Sequence, residues 1–295
     1  MHINDDKQGV SLIVATLGIN NILPLLDSLE KQTCDKYECI VVDQSEDKVL
    51  ENIASKYRNI KYINSIHKGN SYNRNLGILH ASRNILAFPD DDCFYSPNVI
   101  EKVLDVFLNI PHIVGVSGSW RDSNTGDVVL SGSQKKYVNC FNVWTSVTNI
   151  TIFIKSNEVT LVGGYNEAFG LGSKMFEGGE ETDLILKVIE NGNKILYESD
   201  LVIYHRGYNY ALNNIEKQLG YEESWGALFR KWANSKHIGN QIVVAGIILI
   251  LKTYIGAIYY MFRCEIKYAK HYILKNKARY SGWIKYGEML NRNKL

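Results

Sequence analysis

The chain has 295 residues, 45% of them hydrophobic, and its 33 lysines and arginines nearly balance 31 acidic residues. A formal charge of +2 excludes a bulk nucleic-acid-binding surface, and the length suits one large α/β domain with an appendage, or two domains. Five scattered cysteines with no C-x-x-C pair, and a polar start (MHINDDKQGV) with no apolar core of a secretory signal, point to a reducing compartment.

The first half alternates strand and helix. An apolar run at residues 10–16 reads as a buried strand, followed by a helix at 23–32. A second strand at 37–42 ends at Asp43, with a helix at 46–57 and a short strand at 60–63 after it. Gly69-Asn70-Ser71 opens a helix that carries Arg74 and Asn75. The fourth strand, 85–88, stops at Pro89 and three carboxylates, Asp90-Asp91-Asp92. Such alternation predicts an open, mostly parallel sheet flanked by helices, with ligands at the carboxyl ends of its strands. Thr16, Asp43 and the acidic triplet fall at those ends. Alternation of side chains puts Asp90 and Asp92 on one face and Asp91 on the other, so two carboxylates can share a hard cation. Taken alone, the triplet fits a solvated acidic turn better than a metal site; the converging strand ends reverse that preference. The first strand is not followed by G-x-G-x-x-G, and no phosphate loop of the G-x-x-x-x-G-K-[ST] kind occurs.

In the second half a helix is expected at 97–108, capped by Ser96, then strands at 113–120, 127–130 and 150–154 and a short helix to 161. Gly163-Gly164 permits unusual backbone angles and close ligand approach. Glu180, Glu181 and Asp183 open another helix, where carboxylates suit the positive end of the dipole. Two short strands, 194–196 and 201–204, lead to His205.

At this point SLIVATLG, YECIVVDQSED, GNSYNRNLGI and ILAFPDDDCFYSP, in this order, resemble the nucleotide-sugar half of a family 2 glycosyltransferase of the GT-A fold. The segments around Gly163-Gly164 and Glu180-Glu181 resemble its acceptor loop and its Gly-Glu-Asp-x-Asp-Leu motif. The resemblance covers roughly residues 8–207 and implies a Rossmann-like sheet with a donor half (8–95) and an acceptor half (96–207). It implies that Thr16, Asp43, Arg74 and Asp91 surround the nucleotide sugar, whether UDP-, GDP- or dTDP-linked. It implies that Asp90 and Asp92 hold Mg²⁺ or Mn²⁺, with His205 as third ligand or phosphate contact. Gly163, Gly164 and Glu180 would face the acceptor, and Glu181 would be the base of an inverting transfer. Crowding by Glu180 and Asp183 should raise the Glu181 pKa. The chain departs from the family pattern at Ala15, Leu17-Gly18 and Gln44, where a proline, Tyr-Asn and a second aspartate are usual. Two other readings are a sugar-phosphate nucleotidyltransferase and an inactive, membrane-bound scaffold of the same fold. For His205, an interface histidine held by its neighbours is the plain alternative.

Residues 208–295 read as a helical extension. Tyr221, Trp225, Leu228, Phe229 and Trp232 make an aromatic stripe, and 242–262 is almost wholly apolar around Lys252. The length just reaches that of a bilayer span, but a midpoint lysine is costly there and both flanks are basic. Helices lying on the cytoplasmic leaflet, held by aromatics and anionic lipid, fit better than a span or a buried core helix. A glycan or lipid-linked acceptor at a membrane surface follows as the expected partner.

Overall fold

The computed structural model describes residues 7–18, 21–47, 49–130, 136–205 and 214–292. The expected boundary at 207/208 lies outside them. Four parallel strands form the first half of the sheet: β1 (Val10–Thr16), β2 (Tyr37–Asp43), β3 (Ile60–Asn64) and β4 (Ile85–Ala87). Helices α1 (Leu23–Glu30), α2 (Val49–Ala54) and α3 (Asn70–Leu79) connect them. After β5 (Cys93–Tyr95) and α4 (Val99–Asn109) come β6 (Gly115–Asp122), β7 (Val128–Leu130) and β8 (Lys136–Tyr137). Then follow the single turn α5 (Val143–Ser146), β9 (Ile152–Lys155), α6 (Ser156–Leu161), α7 (Glu180–Glu190) and β10 (Ile195–His205).

One sheet runs β3-β2-β1-β4-β9-β6-β10-β5, with β7 and β8 on its margins. β9 is antiparallel to both neighbours, while β6 and β10 are parallel. Alternate residues of β1 and β2 enter two cores. Ile13, Ile40 and Val42 face one, and Leu12, Val14, Cys39 and Val41 the other. That two-sided burial is why these strands read as continuous apolar runs. Helix α3 lies close on β1 because Gly77 has no side chain; a Cβ there would stand 2.3 Å from Ile13 Cγ2.

The three-residue β5, which has no counterpart in the sequence reading, pairs antiparallel with the end of β10. Three expectations need correction. The segments read as two strands before His205 are the single β10, whose register shifts between Tyr197 and Val202. Helix α2 is one turn and a half rather than three. The helix after the triplet begins at Val99 with Asn98 as its cap, not with Ser96.

The C-terminal part comprises α8 (Ile215–Trp232), α9 (Gly239–Phe262) and α10 (Ile266–Arg292). It is not a detached tail. Ala227, Leu228, Phe229, Trp232, Ile242 and Tyr286 join the same core as Phe169, Phe176 and Leu184. Helices α8 and α10 meet through Gly226 and Gly282, where a Cβ would collide with backbone oxygens of Arg279 and Glu223. A buried ion pair reinforces the bundle. Arg279 bonds Glu222 at 2.6 Å and also donates to Thr253 of α9 and to Asn276.

Helix α9 is the one helix, among the described residues, long and apolar enough to cross a membrane. It is not a core helix. Ile242, Ala245, Gly246, Thr253 and Ala257 face the bundle, while Ile247, Leu251, Ile255, Ile258 and Phe262 are exposed.

Candidate active site

Parallel pairing brings the ends of β1, β2 and β3 to one edge. Thr16 lies opposite Asp43, and Asp43 opposite Asn64. The triplet follows β4 at the same edge. Thr16 Oγ1 donates to Asp91 Oδ2 at 2.6 Å, so Asp91 points back to the end of β1. Burial pushes the Asp91 carboxyl up to about 6 against that hydrogen bond, and Asp92 and Asp90 add to the rise.

Asp90 and Asp92 turn the other way, toward His205 at the end of β10. His205 Nε2 is 2.8 Å from Asp92 Oδ1 and 3.9 Å from Asp90 Oδ2. The three side chains keep 39%, 29% and 19% of their surface for Asp90, Asp92 and His205. Two solvent-reaching carboxylates are oxygen ligands of the kind Mg²⁺ or Mn²⁺ takes, whereas an imidazole suits softer divalent ions. The three side chains are not a finished cage: among the described residues no group of three His, Cys, Asp or Glu has ready metal-binding geometry.

Asp43 is fully buried, and both its oxygens are engaged, by its own turn and by Tyr62 of β3. Oδ1 accepts from Ser45 N at 2.9 Å, and Oδ2 from Ser45 Oγ at 2.8 Å and Tyr62 OH at 3.0 Å. Gln44, where the family has a second aspartate, ties the end of β2 to α3: its Oε1 accepts from Gly69 N at 2.8 Å.

Arg74 joins the donor edge to the second half of the chain. Its side chain is 2% exposed, with Nη2 2.8 Å from Asp90 Oδ1 and Nη1 2.9 Å from Glu180 Oε1. The guanidinium lies 5.5 Å from the Tyr165 ring centroid. Burial works against its charge, but Asp90 and Glu180 outweigh that and hold its pKa above the ordinary value. Glu180 also accepts from Asn149 Nδ2 at 2.9 Å, and Asn149 accepts from Tyr165 OH at 2.8 Å. Glu180 is therefore a buried counter-ion.

Glu181, the next residue of α7, is only partly buried. Its surroundings push its carboxyl up to about 8, through burial first and then the adjacent Glu180 charge. The expected contribution of Asp183 is absent, because that side chain turns away to Lys231 and Trp232 of α8.

Gly163 and Gly164, at φ +74° and +64°, form the turn after α6. Asn75 fixes it, accepting from Tyr165 N at 2.8 Å and donating to Tyr165 O at 2.9 Å. A Cβ on Gly164 would stand 2.6 Å from Asn75 Oδ1, so the glycine is needed for space as well as angle. The Arg74-Asn75-x-Gly77 segment thus has three tasks: ion pairing, holding the turn, and close packing on β1. Sequence reasoning gave no role in the site to Asn149, Tyr165 or Lys231, and it singled out Gln44 only as a departure from the family pattern. None carries a local signal; each is defined by a partner far along the chain.

Known proteins share this fold. Residues 11–157, half of the chain, match the model of the family described as Glycosyl transferase family 2. A glucosyl-dolichyl phosphate glucuronosyltransferase of Haloferax volcanii is 22% identical over 219 residues, covering 68% of this chain and 70% of that protein. An uncharacterized glycosyltransferase of Haemophilus influenzae is 32% identical over 106 residues, 35% of this chain and 36% of that one. Among solved structures, S. aureus TarS superposes with a TM-score of 0.62 at 20% identity over 80% of this chain, which spans 41% of the TarS chain. TarS 1-349 in complex with UDP-GlcNAc gives 0.63 at 18% identity, with 80% and 69% covered. That likeness fixes the fold as GT-A, and with the matched segment and the relatives the conclusion is direct: the chain belongs to glycosyl transferase family 2 and is a glycosyltransferase.

Proposed function

We propose that the protein transfers a sugar, with inversion, from a nucleotide-sugar donor to a hydroxyl of a glycan or lipid-linked acceptor at the cytoplasmic surface of a membrane. A role in cell-surface polysaccharide or lipid-linked glycan synthesis follows. The observation that carries the reading is the buried Arg74, which holds Asp90 on one side and Glu180 on the other. It sets a metal-type carboxylate pair beside a helix that presents a carboxylate of raised pKa.

In this reading residues 8–207 are the catalytic domain and 208–295 its membrane-associating extension. Asp43 and Thr16 line the base and ribose end of the donor, with Asp91 held by Thr16 near the sugar. UDP is the first donor to test among UDP-, GDP- and dTDP-sugars, since neighbouring TarS structures are titled as complexes with UDP and UDP-GlcNAc. Asp90 and Asp92, with His205, would hold Mg²⁺ or Mn²⁺. When bound there, the cation neutralises the diphosphate leaving group. Arg74 adds a fixed positive charge on the same side. Glu181 takes the proton of the acceptor hydroxyl, and its raised pKa suits that task. Gly163 and Gly164 give the acceptor close access to the backbone. Glu180 serves the acceptor side indirectly, by locking the start of α7.

The bundle supports attachment in the plane of a membrane. Helix α9 lies along its partners, with Gly246 against Phe229, Gly256 against Tyr272 and Thr253 bonded to Arg279. Crossing a bilayer would carry the Glu222–Arg279 pair and Lys275 into hydrocarbon, a large cost. Lying flat, the axis of α9 stays at one depth along its length, so Lys252 at its midpoint reaches headgroups as readily as a terminal residue. Arg263, Lys267, Lys270 and Lys277 are exposed beside it and suit anionic lipid. The H. volcanii relative, named for a dolichyl phosphate substrate, supports a lipid-linked acceptor.

Four outcomes test this. Asp92→Ala and Glu181→Gln should each lower sugar transfer by roughly 10²–10⁴-fold or more while the circular dichroism spectrum is kept; wild-type rates in either contradict the mechanism. Transfer should rise with pH as Glu181 loses its proton, flattening above about 8. By linkage, a carboxyl whose folded pKa is raised binds more protons in the folded state, so its ionisation removes stability as pH rises from 4.5 through about 8. Glu181→Gln should therefore raise Tm more at pH 9 than at pH 5; an equal change at both pH values contradicts the raised pKa. Finally, the protein should float with phosphatidylglycerol vesicles and less with phosphatidylcholine ones, and Ile255→Asp with Phe262→Asp should abolish flotation. Undiminished flotation of that variant would rule out α9 as the contact.

A further inference from the structure

The first turn of α7 is held from a second side. Asp183 is completely buried, yet it accepts from Lys231 Nζ at 2.6 and 2.7 Å and from Trp232 Nε1 at 2.9 Å. Carboxylates in a first helical turn usually need no partner beyond the dipole and water. A carboxylate withdrawn from water does need one, and here it comes from a helix 48 residues further on. The network continues past Asp183. Lys187, 3.8 Å from Asp183, donates to Gly164 O at 2.8 Å. The glycine loop before α7 also rests on α8: Gly178 N donates to Ser224 Oγ at 3.2 Å, and a Cβ on Gly179 would touch Leu228 at 3.0 Å.

Glu180 and Asp183 are three residues apart and so share a face of α7. Arg74 and Asn149 hold the first, and Lys231 and Trp232 the second. A helix pinned at two such points can neither rotate nor fray, which fixes where Glu181 points. We infer that Lys231 and Trp232 are positioning residues: through Asp183 they set the helix that carries Glu181, and through Lys187 the Gly163-Gly164 turn. This rests on the reading of Glu181 as base and of the turn as acceptor contact. It gives the C-terminal bundle a part in the chemistry beyond attachment, because α8, against which the apolar helix α9 packs, also builds the floor of the acceptor side.

The test uses the full chain as Lys231→Met, Lys231→Arg, Trp232→Phe, and the double variant Lys231→Met with Asp183→Asn. The double variant removes both members of the Lys231–Asp183 pair, keeps an acceptor for Trp232 and leaves Lys187 its bond to Gly164 O, so it separates loss of the clamp from loss of the fold. Two readouts need no substrate. Amide hydrogen exchange over residues 163–187 should quicken roughly tenfold in Lys231→Met and in the double variant, with the β1–β4 peptides unchanged, as expected for local opening. The Glu181 titration, read from the pH dependence of Tm against the matching Glu181→Gln background, should move toward the ordinary carboxyl value. The groups facing Glu181 are Glu180 on its own helix, Arg74, Asp90, Tyr165 and, from α8, Tyr221, and all are kept in these variants. Trp232→Phe should give a smaller shift in the same direction, Lys231→Arg should restore both readouts, and UDP affinity by calorimetry should stay within twofold of wild type. Unchanged exchange and titration in the folded double variant would overturn the inference, as would exchange that quickens equally over the whole chain. A Glu181→Gln variant that still transfers sugar would sink the base reading, while the exchange data would still decide the clamp.

Discussion

A buried arginine between two carboxylates is the constraint on which the site depends. Arg74 is withdrawn from water, and an unpaired guanidinium there would be untenable. Its two partners come from places far apart in sequence, the loop after β4 and the start of α7. The chain therefore cannot fold with Arg74 satisfied unless the two halves meet at this point. Removing one member of such a buried pair typically costs about 3–5 kcal/mol, because the survivor is left charged and alone. The pair adds little net stability over a well-packed apolar substitute. What it supplies is a unique arrangement, with the open carboxylates Asp90 and Asp92 on one side and Glu181 on the other.

The neighbouring charges follow from that arrangement. Because Glu180 is committed to Arg74 and Asn149, its negative charge is fixed beside Glu181 and opposes ionisation of the second carboxyl. Two adjacent glutamates thus differ through their partners alone: Glu180 is a buried counter-ion, and Glu181 keeps a carboxyl of raised pKa. Asp91 and its flanking aspartates divide in the same way. Thr16 holds Asp91 back, while Asp90 and Asp92 turn toward His205.

Much of this was readable from the chain, for physical reasons. β1 and β2 are buried on both faces, so they appear as unbroken apolar runs that end in a polar residue at the ligand edge. The acidic triplet and the Arg74-Asn75 segment stand out because local order, spacing and residue type all matter there. What stayed hidden depends on distant partners. Three residues are too few for β5 to show a period, and only pairing with β10 makes it a strand. Glu198-Ser199-Asp200 broke the apolar pattern of β10 and split one bulged strand into two readings. Asp183 looked like a helix-dipole charge and a neighbour of Glu181, yet its partners Lys231 and Trp232 lie in what read as an appendage. The apolar run of α9 was legible, but its one-sided burial on α8 and α10 was not.

The central claim is that Arg74 and Glu180 act as one unit joining the donor and acceptor sides. A double-mutant cycle on sugar transfer tests it most directly, with Arg74→Met, Glu180→Gln and the combination, each confirmed as folded. The account predicts that each single variant loses roughly tenfold or more in rate, and that the double variant is no slower than the slower single, a coupling of at least about 1 kcal/mol. Losses that multiply in the double variant would show the two residues to be independent and would contradict it.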